Sequence, residues 1–325
     1  MGSMSASVNQ PAKPRNRLFR ILVILLAVGV LLVGGGVFLR FYYLRLPAAG
    51  QGPAGPTVAR EPFSEVWSQR RVLVVGLGDS ITWGMGAPEG HGCLARLIAN
   101  PPDEFPDMKG LCLSAVLPNL ETRNLAVVGS TSRHHMETQI PQLAVQSPDV
   151  LGVVVMSSGG NDLIRSYGHS PPRECAMYGA TLEQAAPWVQ AYRERLDAML
   201  SRIEACFPGG CYIFLETIYD PTDGGGPGAI PLVAPRWPDA LALLSQYNEV
   251  IAQCAAKRPS THLVDLHAAF MGHGFRCDHF WTSCYRPEDP HFWYFQNIED
   301  PNDRGHDAIR RLLLIEIARA FGKLN

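Results

Sequence analysis

The sequence has no excess of charge of either sign, since 28 Lys and Arg residues stand against 30 Asp and Glu residues. That balance gives no reason to expect a nucleic-acid partner, which would need a basic surface. Gly76-Leu77-Gly78 begins like the dinucleotide fingerprint G-x-G-x-x-G, but Ile81 stands where the third glycine belongs. The chain also lacks G-x-S-x-G, so a nucleophile elbow of the α/β-hydrolase type is not supported.

One long uncharged apolar run, from Ile21 to Leu39, lies near the N-terminus. As a helix it would span about 28 Å, close to the ~30 Å hydrocarbon core of a bilayer. The cations that flank it are Lys13, Arg15, Arg17 and Arg20 before the run and Arg40 and Arg45 after it. This modest bias predicts a cytoplasmic N-terminus and a remainder outside the cytoplasm.

The chain is therefore expected to be a single-pass membrane protein with its main domain periplasmic or extracellular. We predict a cytoplasmic polar tail at 1–17, a transmembrane signal-anchor helix at 18–45, a flexible linker at 46–69 and a folded domain at 70–325, whose function the motifs below address. Phe41, Tyr42 and Tyr43 are interpreted as an interfacial anchor. The alternative is a signal peptide, with secretion of the domain after cleavage.

Eight cysteines all lie in the part expected to be exported, and an even count in an oxidising compartment suggests disulfides. The pairs suggested by proximity are Cys206–Cys211, Cys277–Cys284, Cys93–Cys112 and Cys175–Cys254, although eight cysteines allow many pairings. In a cytosolic domain the same residues would be buried thiols. A zinc site that includes His273, Cys277 and His291 is a weaker alternative, because the usual C-x₂₋₄-C pair is missing.

Five apolar, β-branched runs alternate with helical patterns, which predicts an α/β domain of three layers around a doubly wound parallel sheet. The predicted strands are Val72–Gly78, Arg123–Val127, Val150–Ser157, Tyr212–Tyr219 and Thr261–Leu266. The predicted helices are 92–99, 136–145, 182–205, 239–256 and 307–321. In such a sheet ligands bind at the carboxyl ends of the strands.

The first strand ends in Gly78-Asp79-Ser80, which exposes a serine hydroxyl at the edge of the sheet where ligands bind. Ser80 is a candidate nucleophile, or alternatively a helix cap. Asp79 is expected to bond the loop backbone rather than to take part in chemistry.

The second and third strands end in groups that suit an oxyanion hole. Gly129 can present its backbone N–H to a substrate oxygen, and Asn161 can aim its side-chain amide at the same oxygen. Their structural alternatives are a turn glycine and a loop asparagine that bonds its own backbone.

Asp303-Arg304-Gly305-His306 stands just ahead of the last predicted helix. An aspartate three residues before a histidine can hold the imidazole in the tautomer that a general base needs. The alternative is that Asp303 or Asn302 caps the helix.

Together, the segments around Ser80, Gly129, Asn161 and His306 resemble, in order, the SGNH hydrolases, also called the GDSL esterase family. The resemblance covers roughly 72–321 and implies the SGNH hydrolase fold, with a flavodoxin-like five-stranded parallel sheet, preceded here by one N-terminal transmembrane helix. It also implies a triad of Ser80, Asp303 and His306 and an oxyanion hole from Ser80, Gly129 and Asn161. Ile81 replaces the leucine of the GDSL name. Residues 270–300 look like an insertion, whose aromatic side chains either form a rim around the site or pack the insertion against the domain.

The predicted reaction is hydrolysis of an acyl ester of a small molecule, glycan or lipid through an acyl-Ser80 intermediate. His306 would take the Ser80 proton and Asp303 would orient His306, with no metal or organic cofactor. The alternatives are an O-acyltransferase on the same triad and a non-catalytic glycan-binding protein. The sequence does not settle the oligomeric state.

Overall fold

The structure, a computed structural model, describes residues 15–40, 45–227 and 235–324. It divides the chain into two compact units, Met1–Arg45 and Leu46–Asn325. The first unit contains helix α1 (Arg15–Phe38), in which Arg17–Phe38 is long and apolar enough to cross a membrane. Most of the predicted polar tail and the aromatic anchor at residues 41–43 lie outside the described residues.

The second unit is built on a five-stranded sheet in which every pairing is parallel, with strand order β2-β1-β3-β4-β5. The strands are β1 (Arg71–Leu77), β2 (Leu120–Asn124), β3 (Val150–Met156), β4 (Cys211–Glu216) and β5 (Thr261–Val264). The predicted fold class is confirmed.

Helices cover both faces of the sheet because successive strand side chains point to opposite sides. Val72 and Val74 of β1 pack on one face, while Val75 and Leu77 pack on the other. The first face carries α3 (Cys93–Ile98), α4 (Leu113–Val116), α9 (Leu266–Phe270) and α10 (Asp303–Ala320). The second carries α7 (Leu182–Cys206) and α8 (Ala240–Ala256). Three short helices follow strands or loops: α2 (Ser80–Trp83), α5 (Ser132–His134) and α6 (Gly160–Ile164).

The predicted bounds of several elements differ from the structure. Strand β2 begins three residues before the predicted Arg123, because it is an edge strand whose residues are largely exposed and carry little apolar signal. The helix predicted over 136–145 is replaced by a π turn at His135–Gln139 and a 3₁₀ turn at Ile140–Gln142. Pro141 cannot supply the backbone N–H that a continuing helix needs.

Residues 46–69 are not a loose linker in the structure. Ala54 and Val58 are buried in the core, and the Ala54 backbone N–H donates to the Asp307 carboxylate at 3.0 Å. The Arg304 guanidinium, on α10, donates to three carbonyl oxygens of residues 49–53. The segment therefore packs as part of the second compact unit, which begins at Leu46.

All eight cysteines are free thiols, so none of the predicted disulfides is present. Several are buried, among them Cys93, Cys254 and Cys277, as is common for this small apolar side chain. The cysteines therefore give no support to an oxidising compartment.

Candidate active site

The loops after β1 and β3 are joined at the carboxyl edge of the sheet by Ser157. Its hydroxyl donates to the Asp79 carboxylate at 2.8 Å and accepts the Asp79 backbone N–H at 3.2 Å. Gly78 has φ +128°, and a Cβ there would lie 2.3 Å from the Ser157 Oγ atom, so only glycine fits. This close approach sets the position of Ser80, the first residue of α2.

Asp79 has the structural role that the sequence suggested. It caps α2 by accepting the Ile81 backbone N–H at 3.1 Å. Burial raises the pKa of its carboxyl to about 6, although the hydrogen bonds from Ser157 and Ile81 oppose that rise. The side-chain carboxyl of Glu216, at the end of β4, has no hydrogen-bond partner among the described residues. Burial raises its pKa to about 8.

The Gly129 loop is tied to the end of β1 by buried polar side chains. The Ser130 hydroxyl donates to the Gly78 carbonyl at 2.8 Å, and Gln139 makes hydrogen bonds to both backbone groups of Gly78. His135 bridges the Ser130 and Ser158 hydroxyls at 2.8 and 3.1 Å. Burial lowers the pKa of His135 to about 3, so it is a neutral structural group and not a solvated loop histidine.

Asn161 is held at the same edge by its neighbour Asp162. The buried Asp162 carboxylate accepts the Ser132 backbone N–H at 2.8 Å and also bonds the Ser132 hydroxyl. Asn161 and Ser80 line one cavity of ≈ 270 Å³. Gly129 has φ +71° and is exposed; its carbonyl accepts from Arg165 at 3.2 Å, and it is not among the described residues that line the cavity.

His306 does not occupy the predicted place beside Ser80. It is fully buried, with Nε2 2.8 Å from the Met85 carbonyl oxygen and Nδ1 3.2 Å from the Cys93 backbone nitrogen. The carbonyl accepts the Nε2 proton and the Cys93 N–H donates to Nδ1, so the ring is neutral and has no lone pair left for a serine proton. Burial lowers the pKa of His306 to about 4, in agreement with this neutral state.

Asp303 does not orient His306. Its carboxylate pairs with the Arg96 guanidinium at 3.0 Å and lies 3.1 Å from Nδ1 of His91. His91 in turn lies 3.1 Å from Asp103. Asp303 thus joins an ion-pair network with α3, and neither Asp303 nor His306 lines the cavity.

Asp303 and His306 lie away from the cavity because α10 begins earlier than the sequence predicts. The Asn302 side chain accepts the Gly305 backbone N–H at 3.0 Å and caps the helix, which starts at Asp303 and not at residue 307. Asp303 and His306 are therefore in the first turn of the helix and pack against α3. The residues that reach the edge of the sheet are those just before the cap.

Two of these residues were missed by the sequence analysis. Asp300 lines the same cavity as Ser80, and its carboxylate lies close enough to the Ser80 side chain for the two to interact. The Asn297 amide donates to the same carboxylate at 2.6 Å. Burial raises the pKa of Asp300, and the interactions with Ser80 and Asn297 partly oppose this rise. The available signal was Asn302, a cap residue that was considered only as an alternative.

Of the two alternatives for the aromatic residues of 270–300, packing of the insertion holds for three of them. Phe292, Trp293 and Tyr294 are buried, and Trp293 stacks on His273 with ring centroids 3.5 Å apart. Phe280, Trp281 and Phe295 are exposed. In the part of the chain that the structure describes, no group of His, Cys, Asp and Glu side chains could hold a metal ion.

A sequence model of the GDSL-like Lipase/Acylhydrolase family matches residues 77–308. Similar solved structures include a mutant acetylxylan esterase from Geobacillus stearothermophilus, at 18% identity over 80% of this chain and 99% of the other, with a TM-score of 0.47. An α/β hydrolase from the Lake Arreo metagenome has 18% identity, the same two coverages and a TM-score of 0.48. A lipolytic G-D-S-L family member from Veillonella parvula has 16% identity, coverage of 78% and 100%, and a TM-score of 0.45. No curated protein matches the chain.

Proposed function

We propose that this chain, an ester-bond hydrolase that belongs to the GDSL-like lipase/acylhydrolase family, cleaves carboxylic esters of apolar acyl groups through an acyl-Ser80 intermediate. The main support for this proposal is a cavity that is lined by Ser80 and Asn161 and continues between apolar walls.

In the proposed reaction the Ser80 Oγ atom attacks the ester carbonyl, and the carbonyl oxygen becomes an oxyanion. The Asn161 amide, with the backbone N–H of Ser80, would donate to that oxygen. One such donor contributes on the order of 3 kcal/mol to transition-state stabilisation. The alcohol leaves, and water then hydrolyses the acyl-serine.

The walls of the cavity favour a hydrocarbon acyl group longer than acetyl. Away from Ser80 the cavity is bounded by α6, by the loop after β4 and by α8. Residues of these walls include Leu163, Ile164, Ile218, Trp237 and Leu244. A volume of ≈ 270 Å³ exceeds what the single methyl of an acetyl group would fill, since a water molecule occupies about 30 Å³.

We expect kcat/KM on p-nitrophenyl esters to rise from acetate to hexanoate on the order of 10²-fold. Each buried CH₂ contributes about 0.8 kcal/mol, which is about fourfold in rate for each of four added groups. The measurement is the initial rate for a chain-length series, with the full chain in mild detergent. A flat series, or one that peaks at acetate, would reject the apolar acyl site.

The variant Ala240→Phe is designed to narrow this cavity from its α8 wall. Ala240 lines the cavity and is buried on α8. We expect the variant to lose ten- to a hundredfold on hexanoate and less than about threefold on acetate, because only the longer chain meets the new ring. Leu182→Phe, at an exposed position that does not line the cavity, is the matched control.

We also propose that α1 anchors the chain in a membrane, with the hydrolase domain outside the cytoplasm. Support comes from the length and apolarity of Arg17–Phe38 and from the cations that precede it in the sequence. The protein is expected to sediment with membranes and to be released by detergent but not by 1 M salt, a concentration that screens charges within roughly 3 Å. A soluble mature protein whose mass lacks α1 would instead show a cleaved signal peptide.

A further inference from the structure

The cavity beside Ser80 also contains a buried carboxylate. Asp300 is 3% exposed and lines the cavity together with Ser80 and Asn161. The Ser80 side chain interacts with this carboxylate and lowers its pKa. Among the described residues that line the cavity there is no histidine.

Buried histidines near this edge are already engaged. Both ring nitrogens of His306 bond backbone groups, and both ring nitrogens of His135 bond serine hydroxyls. The pKa of each is lowered by burial, to about 4 and about 3 respectively. Neither ring can take a proton from Ser80 without first breaking these bonds.

We propose that Asp300 is the general base for Ser80 and that Asn297 positions it, in place of a histidine and its aspartate. The inference rests on the proposed function. As Ser80 Oγ forms its bond to the acyl carbon, its proton moves to the Asp300 carboxylate. When the C–O bond to the alcohol breaks, the neutral Asp300 carboxyl returns that proton to the leaving oxygen. In the second half, water gives its proton to Asp300 and its oxygen to the acyl carbon, and the proton then passes to Ser80 Oγ.

The surroundings make this carboxylate a stronger base than an exposed one. Asn297 Nδ2 fixes one carboxylate oxygen at 2.6 Å, and Asn297 Oδ1 accepts the Asp300 backbone N–H at 3.2 Å. The titratable groups that interact electrostatically with Asp300 are Asp79, Glu299, Tyr167 and Tyr219. None of the four carries a positive charge, so they do not stabilise the carboxylate, and burial raises its pKa. A base whose pKa is closer to the working pH transfers protons more efficiently.

The first test compares Asp300→Asn with Glu121→Gln and His306→Gln. Asp300→Asn keeps the shape of the side chain but cannot accept the proton, so kcat should fall on the order of 10²–10⁴-fold with KM little changed. Glu121→Gln removes an exposed carboxylate that does not line the cavity and should stay within about tenfold of wild type, as should His306→Gln. Melting temperatures of the same samples show which variants are folded.

The second test measures the pH dependence of kcat/KM in Asn297→Ala. If Asn297 had only a structural role, this pH dependence would not change. The hydrogen bond from Asn297 lowers the pKa of Asp300, so its loss raises that pKa. In Asn297→Ala the acid limb of kcat/KM should therefore shift to higher pH. An unshifted limb would remove Asn297 from this role.

The two proposals fail differently. If Ser80→Ala is inactive but Asp300→Asn keeps kcat within tenfold, the general base is another group and the proposed function stands. A drop of more than 10²-fold in His306→Gln, with the fold intact, would restore the histidine as base. If Ser80→Ala itself retains activity, the proposed function fails as well.

Discussion

Replacing Ser80 by Ala is expected to lower kcat on the order of 10⁴–10⁶-fold, the scale seen when a serine hydrolase loses its nucleophile. The variant cannot form the acyl-serine, and what remains is the contribution of binding and the oxyanion donors. Ser80 is part-exposed and the substitution removes one atom, so the fold should persist. The measurement is the turnover of the hexanoate ester, with a fluorophosphonate probe as a second readout.

The probe distinguishes the nucleophile from a residue that only shapes the site. In the wild type the label should be found by mass spectrometry on the peptide that contains Ser80, and in Ser80→Ala no peptide should be labelled. Ser64→Ala, at an exposed serine distant in sequence, is the matched control and should be labelled like the wild type. A labelled Ser80→Ala protein would place the nucleophile at another residue.

The fold was predictable because its central strands are buried on both faces. Strands β1 and β3 are each predicted within one residue of their observed bounds, and every residue of β3 is buried. Such runs are apolar throughout, which is typical of parallel strands buried on both faces. Strand β2 was displaced because an edge strand of largely exposed residues has no such run.

Ser80 and Asn161 of the candidate site could be predicted from the same apolar runs. Ser80 and Asn161 come within a few residues of the ends of β1 and β3, so their location at the sheet edge depends only on strands that the sequence predicts well. Asp300 has no such strand before it. Its location depends on the Asn302 cap, which starts α10 at Asp303 and turns His306 toward α3.

The spacing of residues in the sequence also could not show whether Asp300 or Asp303 belongs to the site. Asp303 stands three residues before His306, the spacing that a triad needs, but inside a helix this places Asp303 beside Arg96 and His91. The partners of a side chain at a helix start are decided by the neighbouring elements and not by sequence separation. Here α3 supplies both a cation for Asp303 and a backbone N–H for His306.

The largest expected effect on stability is at a buried ion pair between α10 and the loop after α3. Arg310 donates to the two Glu104 carboxylate oxygens at 2.9 and 3.0 Å, and neither side chain is more than 1% exposed. Arg310 also donates from Nε to the Asp307 carboxylate at 2.9 Å. Removing one partner leaves a charge that is buried without full compensation, which costs about 3–5 kcal/mol.

Glu104→Gln is expected to destabilise the domain by about 3 kcal/mol, the lower end of that range, because Asp307 still neutralises part of the Arg310 charge. Thermal melting of the full chain in mild detergent should then show a midpoint lower by roughly 6–12 °C. Glu121→Gln is the control, since the Arg71–Glu121 pair has a similar 3.0 Å separation but is exposed, and its melting point should not change measurably.

The difference between wild type and Glu104→Gln should also depend on pH. Burial alone would raise the pKa of the Glu104 carboxyl, but the hydrogen bonds and charge of Arg310 outweigh it, and the pKa lies below its ordinary value of 4.5. A carboxyl with a lowered folded-state pKa stabilises the protein fully above its unfolded-state pKa, and this stability is lost as the pH falls through the folded-state pKa. The two melting points should therefore stay well separated at neutral pH and converge below about pH 4.5. A separation that stays constant into acid would mean that the charge of Glu104 is not what stabilises α10 against the loop.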